Sequence, residues 1–114
     1  LDTAIAFAGG DAQRVFVVSI PDWGATPFAI ASGRDTAQIA HEIDAFNAAA
    51  RDTALARGAA FVDVTALSRA QPSNERWLAV DGLHPSASQY AAWIAPIAIA
   101  ARKALSRLEF SGSP

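Results

Sequence analysis

The residues best suited to chemistry in this sequence are Asp81 and His84, which lie three positions apart in Asp81-Gly82-Leu83-His84-Pro85. Two side chains at this spacing on a tight turn lie close together, so Asp81 can accept the Nδ1 proton of His84 and leave Nε2 free as a base. Gly82 permits a sharp turn, and Pro85 prevents the following helix from extending back through His84. The pattern predicts the acid and base pair of a catalytic triad. A helix-capping aspartate beside a surface histidine is the alternative.

The segments before this turn have the pattern of a parallel α/β unit. Residues 14–20 are apolar, rich in β-branched residues and followed by a proline, which predicts a strand buried on both faces. Residues 21–27 contain two prolines and a glycine, which predicts a loop long enough to line a site. A helix runs from its cap at Asp35 to a stop at Gly58, and residues 59–64 form a second strand. This order predicts the α/β class with a parallel sheet.

Two helices are predicted from their caps and from the spacing of their apolar residues. Asp35 with Gln38, and Ser86 with Gln89, have the spacing of a capping box. Apolar residues then recur at three- and four-residue steps, as expected for one buried face of each helix. The predicted faces are Ile39, Ile43, Phe46, Ala50 and Ala54 in the first helix, and Tyr90, Ile94, Ile97, Ala101 and Leu105 in the second. Pro96 should kink the second helix. Residues 65–80 lack such periodicity and predict a surface excursion with a short turn at residues 66–68.

Most of residues 14–105 resembles the SGNH or GDSL hydrolase family. The last sequence block of that family is an Asp-x-x-His immediately before the C-terminal helix, and residues 81–86 match it. Residues 15–24 are similar to the family's fourth strand and the loop after it, residues 43–47 to its next helix and residues 61–64 to its fifth strand. The resemblance implies a three-layer α/β/α, flavodoxin-like fold that hydrolyses carboxylic esters through an acyl-serine intermediate. It also implies that His84 is the general base and Asp81 its orienting carboxylate.

The sequence departs from the family at the nucleophile. The Gly-Asp-Ser block and the Gly and Asn blocks that supply the oxyanion donors are not found, and Gly10-Asp11-Ala12 has alanine where the nucleophile would stand. Strand ends and helix starts account better for the candidate serines, which are Ser19, Ser32, Ser86 and Ser88. This chain is therefore expected to supply the Asp and His of an active site, and no serine.

We expect residues 1–108 to be the C-terminal part of a single SGNH hydrolase domain, with a flexible tail over residues 109–114. The serine would come from the N-terminal part of the same domain, a homo-oligomer mate could instead cover the open edge of the sheet, and the isolated chain would be inactive. Two parallel strands alone would leave a sheet edge and apolar surface exposed, which favours such a partner. The alternative is a non-catalytic half-domain that assembles with itself or with another chain.

Three further residues have candidate roles. Trp23, in the loop after the first strand, is a candidate wall of an acyl or sugar pocket, because such loops bind ligands in parallel sheets. Packing of Trp23 on the adjoining helix is the alternative. Asp63 lies in an otherwise apolar strand, so we expect a structural role and a raised pKa. His41 lacks a second histidine at the metalloprotease spacing and is expected on a solvated helix face.

The composition limits the function further. Hydrophobic residues make up 52% and charged residues 18%, which indicates a folded segment with a core. The net charge is −2 and the basic residues are dispersed, so nucleic acid is not an expected partner. There is no cysteine, and we expect no metal, no cofactor and no membrane-spanning segment. The expected substrate is an acylated lipid, an acylated sugar or a short-chain ester, and the compartment of a soluble protein, cytoplasmic or exported, is left open.

Overall fold

The computed structural model describes residues 1–70 and 76–111, and helices separated by two short strands make up most of this part of the chain. Two single-turn 3₁₀ segments, Ala12–Arg14 and Trp23–Ala25, precede the first strand and follow it. The helices and strands are α1 (Asp2–Phe7), β1 (Phe16–Val18), α2 (Pro27–Ala31), α3 (Thr36–Ala56), β2 (Ala60–Val62), α4 (Thr65–Ala70) and α5 (Ala87–Ser111).

The two strands pair in parallel, with Val17 opposite Phe61. The pairing continues past the strand ends, since the Ser19 amide donates to Val62 O at 2.9 Å and the Ala60 amide donates to Val15 O at 3.0 Å. Helix α3 forms the crossover between the strands. The predicted α/β class with a parallel sheet is confirmed.

Both strands are shorter than predicted, and β1 is not buried on both faces. Val15 is buried, but Val18 is 37% and Ile20 46% exposed. The reason is that β1 has a strand partner on one edge only among the described residues. The predicted loop over residues 21–27 also contains a 3₁₀ turn, and α2 begins at its last residue, Pro27.

Helix α3 begins and ends where the sequence predicts, but only part of its predicted apolar face is buried. The Asp35 carboxylate accepts a hydrogen bond from the Gln38 amide at 2.9 Å, while the Gln38 side chain donates to Glu42 and does not complete the capping box. Gly58 ends the helix with a φ of +77°, a conformation that favours glycine. The buried residues of α3 are Ile43, Asn47 and Ala54. Phe46 is 66% exposed, so its assignment to the buried face is wrong.

Helix α5 buries only part of its predicted face. Tyr90, Ile94 and Leu105 are at least half exposed, whereas Ile97 and Ala101 are half-buried. The residues that turn inward also include Gln89, Trp93, Pro96, Ala100 and Ala104. Gln89 is 1% exposed, and its side chain is bonded to the backbone of Trp77. The helix continues through Pro96 to Ser111, so it includes the first part of the predicted tail.

The hydrophobic core is small. Val15, Ala54 and Ala59 form its buried centre, with half-buried apolar residues around them. The segment predicted as an excursion begins with helix α4, which is longer than the turn predicted at residues 66–68. Residues 71–75 of the predicted excursion lie outside the described residues. No helix in the described ranges has the length and apolar character needed to cross a bilayer.

Candidate active site

The turn that carries Asp81 and His84 is closed by short-range backbone hydrogen bonds. Leu78 and Pro85 form an isolated antiparallel bridge. The Ala79 amide donates to His84 O at 2.8 Å, and the Gly82 amide donates to Ala79 O at 3.0 Å. Gly82 has a φ of +66°, which a residue with a side chain adopts only with strain. These bonds fix the loop from both ends.

Asp81 joins the two halves of this turn through its carboxylate. Oδ2 lies 2.7 Å from Nδ1 of His84. Oδ1 accepts the backbone amides of Leu83 and His84, both at 3.0 Å. The bond to the His84 ring, followed by these two amide bonds, lowers the pKa of Asp81 to about 2. The carboxylate is therefore ionised at neutral pH and orients the imidazole through Nδ1.

The other ring nitrogen of His84 is free to react. Among the described residues, Nε2 of His84 has no hydrogen-bond partner, and 69% of the side chain is exposed. Asp81 is 47% exposed. No serine hydroxyl in the described part of the chain is hydrogen-bonded to the ring. The arrangement can accept a proton at Nε2 from a group that reaches it from outside this turn.

Helix α2 and the loop before it lie against the turn. The Phe28 amide, at the start of α2, donates to Gly82 O at 3.3 Å. Thr26 caps α2 by accepting from the Ala29 amide at 3.3 Å, and its hydroxyl donates to Trp23 O at 2.6 Å. The loop that the sequence identified as a candidate site wall is thus adjacent to the candidate base.

Trp23 is half-buried beside this turn. It lines a cavity of about 20 Å³ together with Leu83, Pro85 and Gln89. The Arg34 guanidinium lies 5.5 Å from the centre of the indole. A cavity of this volume is too small for an acyl group. The role of Trp23 as a substrate wall stays a prediction.

A buried ion pair that the sequence reasoning missed holds the Trp23 loop in place. Asp22 is 4% exposed, and its Oδ2 lies 2.8 Å from Nε of Arg69 on α4. Its Oδ1 accepts the Gly24 amide at 2.9 Å, and its own amide donates to Ser68 Oγ at 2.8 Å. The bond to Asp22 is the largest influence on Arg69, whose pKa is raised. An Asp in the loop after the first strand is the only sequence signal, since its partner lies 47 positions away.

Asp63 has the structural role that the sequence favoured, but its predicted raised pKa is wrong. Burial of Asp63 acts to raise the pKa, but it is outweighed by hydrogen bonds from Thr65 and Ser19 and by the charge of Arg51, so the pKa is lowered. The Arg51 guanidinium lies 3.1 Å from Oδ2, and the side chain of Asp63 is 46% exposed. Enough solvent and enough donors reach this carboxylate to keep it ionised.

Three of the candidate serines, Ser19, Ser32 and Ser86, donate hydrogen bonds to groups other than His84, and no bond is seen for Ser88. Ser19 is 4% exposed and its hydroxyl donates to Asp63 at 3.1 Å. Ser32 donates to Ala29 O at 2.7 Å, and Ser86 donates to the backbone of Arg76. His41 is exposed on α3, as predicted. No group of three side chains suited to hold a metal ion occurs in the described ranges.

A much larger cavity lies away from the candidate base. It has a volume of about 600 Å³ and is bounded by β2 and α5, with Phe61, Ile99 and Lys103 among its lining residues. Neither Asp81 nor His84 lines it. The volume of a cavity therefore does not by itself identify the candidate active site.

Comparison with known proteins gives one match. A family model described as the GDSL-like Lipase/Acylhydrolase family matches residues 1–92. The matched region contains both strands, the crossover helix and the turn with Asp81 and His84. No curated protein and no solved structure matches the chain.

Proposed function

The chain belongs to the GDSL-like Lipase/Acylhydrolase family, and from this premise we propose that it supplies the acid and base half of a carboxylic ester hydrolase. Hydrolysis of the lipase or acylhydrolase type is the activity of the family. The observation that carries the finer assignment is the 2.7 Å contact between Asp81 Oδ2 and His84 Nδ1. It leaves Nε2 of an exposed imidazole without a protein partner among the described residues, which is what a general base requires.

In the proposed reaction, Nε2 of His84 takes the proton of a serine hydroxyl as the serine oxygen attacks the ester carbonyl. The imidazolium then gives this proton to the departing alcohol, and an acyl-serine remains. In the second half, His84 takes a proton from water, whose oxygen attacks the acyl carbon, and returns it to the serine. Asp81 stays ionised throughout, keeps the proton of the neutral ring on Nδ1 and stabilises the imidazolium.

The serine and the oxyanion donors belong, in this proposal, to the N-terminal part of the same domain. Two observations support an added segment. Of the serines that the sequence singled out, three donate to groups other than His84, namely Asp63, Ala29 O and Arg76 O, and no bond is seen for Ser88. In addition, β1 has one edge without a strand partner among the described residues, and the apolar side chains Val18 and Ile20 at that strand are exposed. A further strand on this edge would cover them.

The proposed substrate is an acylated lipid, an acylated sugar or a short-chain ester, with Trp23 as one wall of its site. Trp23 supports this assignment by its place beside the turn and by its half-exposed ring. A docked segment on the other side would convert the open surface at the turn into a cleft. Hydrolysis should decline at acid pH, because a protonated imidazole cannot accept the serine proton.

The proposal is tested by His84→Ala in the enzyme completed by its N-terminal part. We expect kcat/KM for a p-nitrophenyl ester to fall by about 10²- to 10⁴-fold, the usual contribution of a general base. His41→Ala is the matched control, because His41 is an exposed histidine on α3 and has no place in the mechanism. Activity of His84→Ala within a few-fold of wild type would contradict the proposal and favour a non-catalytic half-domain.

The isolated chain gives a second test. We expect negligible turnover of p-nitrophenyl acetate by these 114 residues, because the nucleophile is assigned to another segment. Efficient turnover that a serine-directed phosphonate abolishes would place the nucleophile within this chain. That outcome would contradict the assignment of the serine to another segment. It would not decide the role of His84, which the His84→Ala variant tests.

A further inference from the structure

Gln89, in the first turn of α5, is a buried polar residue with a fixed orientation. It is 1% exposed. Its Nε2 donates to Trp77 O at 3.0 Å, and its backbone amide donates to Ser86 Oγ at 3.3 Å. Because a carbonyl oxygen only accepts, the amide group must direct its nitrogen to Trp77 and its oxygen elsewhere.

The side-chain oxygen of Gln89 has no hydrogen-bond partner among the described residues. Buried polar atoms in proteins are nearly always bonded to the protein or to an ordered water, so this oxygen calls for an explanation. Trp93 Nε1, one helical turn further along α5, is also buried without a described partner. A direct bond between the two is therefore a rival explanation that has to be tested.

Gln89 lines the cavity of about 20 Å³ that separates it from the Trp23 loop. One water molecule needs about 10–15 Å³ of cavity volume, so there is room for a single water and for no larger ligand. Trp93 is not among the residues that line this cavity. The residue with the unbonded oxygen, Gln89, thus lines this cavity, whereas Trp93 does not.

The polar groups across the cavity fit a water that donates both of its hydrogens. Thr26 Oγ1 donates to Trp23 O and accepts from Ala29, which leaves one acceptor position free. Ser68 Oγ donates to Thr65 O and accepts from Asp22, which also leaves one. The carboxylate of Asp22 has acceptor positions beyond its bonds to Gly24 and Arg69.

We infer that this cavity binds one structural water molecule, which donates one hydrogen bond to Gln89 Oε1 and a second to an oxygen of the Asp22, Thr26 and Ser68 group. The water links α5, immediately after the His84 turn, to the loop that carries Trp23. This inference does not depend on the proposed function, since its subject is a bound water and not turnover.

A high-resolution crystal structure of the chain tests the inference directly. We expect density for one water within hydrogen-bond distance of Gln89 Oε1 and of one oxygen on the opposite wall. A cavity without such density would overturn the inference, and so would a direct bond from Trp93 Nε1 to Gln89 Oε1.

Water oxygen-17 relaxation dispersion gives the corresponding test in solution, since it counts long-lived bound waters. Gln89→Met keeps the length of the side chain, removes the acceptor and should cost one long-lived water. Trp93→Phe removes the rival donor and should cost none, and Gln38→Met is the matched control at an exposed glutamine. The inference would be wrong if folded Gln89→Met kept the wild-type number of long-lived waters. It would also be wrong if Trp93→Phe lost such a water and Gln89→Met did not. If Gln89→Met does not fold, the wild-type count and the crystal density still decide.

Discussion

Replacing Asp81 by asparagine separates the two tasks of this carboxylate. Asparagine keeps an oxygen in the place of Oδ1, which accepts the Leu83 and His84 amides at 3.0 Å. It puts an NH₂ group in the place of Oδ2, which lies 2.7 Å from Nδ1 of His84. Two donors cannot face each other, so the ring must carry its proton on Nε2 and present Nδ1 as an acceptor. The turn then survives while the base is lost.

The expected loss of activity depends on how strongly the contact with Asp81 fixes the tautomer of the His84 ring. In enzymes of this type, holding histidine in the wrong tautomer costs about 10⁴-fold in kcat. Here His84 is 69% and Asp81 47% exposed, so water competes for the ring and reduces the loss unless a docked segment excludes it. We therefore expect a loss of about 10²- to 10⁴-fold in kcat/KM for the completed enzyme with Asp81→Asn. Asp81→Ala should add a loss of stability, because it also removes both Oδ1 bonds.

Two measurements check this reasoning. Steady-state hydrolysis of a p-nitrophenyl ester by the completed enzyme gives the loss in kcat/KM, with Asp52→Asn on an exposed position of α3 as the matched control. Nitrogen-15 spectra of the imidazole in the isolated chain give the tautomer without any nucleophile. We expect the neutral ring to carry its proton on Nδ1 in the wild type and on Nε2 in Asp81→Asn. Unchanged kcat/KM, or the same tautomer in both proteins, would refute the role assigned to Asp81.

Three further predictions concern the stability of the fold around the ends of β1 and β2. In Gly24→Ala the added Cβ would lie 2.8 Å from Cγ2 of Ile39, so urea denaturation should show a loss of about 1–3 kcal/mol in the free energy of unfolding; a wild-type midpoint would contradict the contact. Asn47→Ala removes the amide that accepts from Ile20 N at 2.8 Å and donates to Ile20 O at 3.0 Å, and should cost about 1–3 kcal/mol by the same assay. The pKa of Asp63 is lowered, so the unfolded chain binds this proton at higher pH than the folded chain. The stability that Asp63 contributes is therefore present at neutral pH and lost as the pH falls below the ordinary range of aspartate. The thermal midpoint should fall less steeply with acid in Asp63→Asn than in the wild type.

Features that depend on nearby residues could be predicted from the sequence. The cap of α3 at Asp35 and its end at Gly58 follow from the conformational preferences of single residues. The contact of Asp81 with His84 spans three positions on a turn, and its geometry needs nothing from the rest of the chain. The α/β class follows from the order of these local elements, because a parallel pair requires a crossover between its strands.

Features that depend on distant residues could not be predicted in this way. The ion pair of Asp22 with Arg69 joins positions 47 apart, and each residue alone resembles an ordinary surface charge. The Asp63 carboxylate contacts Ser19 and Arg51, which lie 44 and 12 positions away, although the largest influence that lowers its pKa is the nearby hydrogen bond from the Thr65 amide. Hydrophobic periodicity gives no weight to a polar residue, so it does not predict that Gln89 of α5 is only 1% exposed.

Nearby contacts and distant contacts hold different parts of the proposed active site. The proposed base, His84, is held by bonds within residues 77–86, to which the Phe28 amide adds one bond at Gly82 O. The loop that carries Trp23, the proposed wall, is held by Asp22 and Arg69 from outside that segment. A segment that docks on the free edge of β1 would therefore meet a base that is already oriented. It would need to supply the serine and to exclude water, but not to align the imidazole. The expected consequence is that the tautomer of His84 is the same in the isolated chain and in the completed enzyme, since the contact that fixes it lies wholly within the turn.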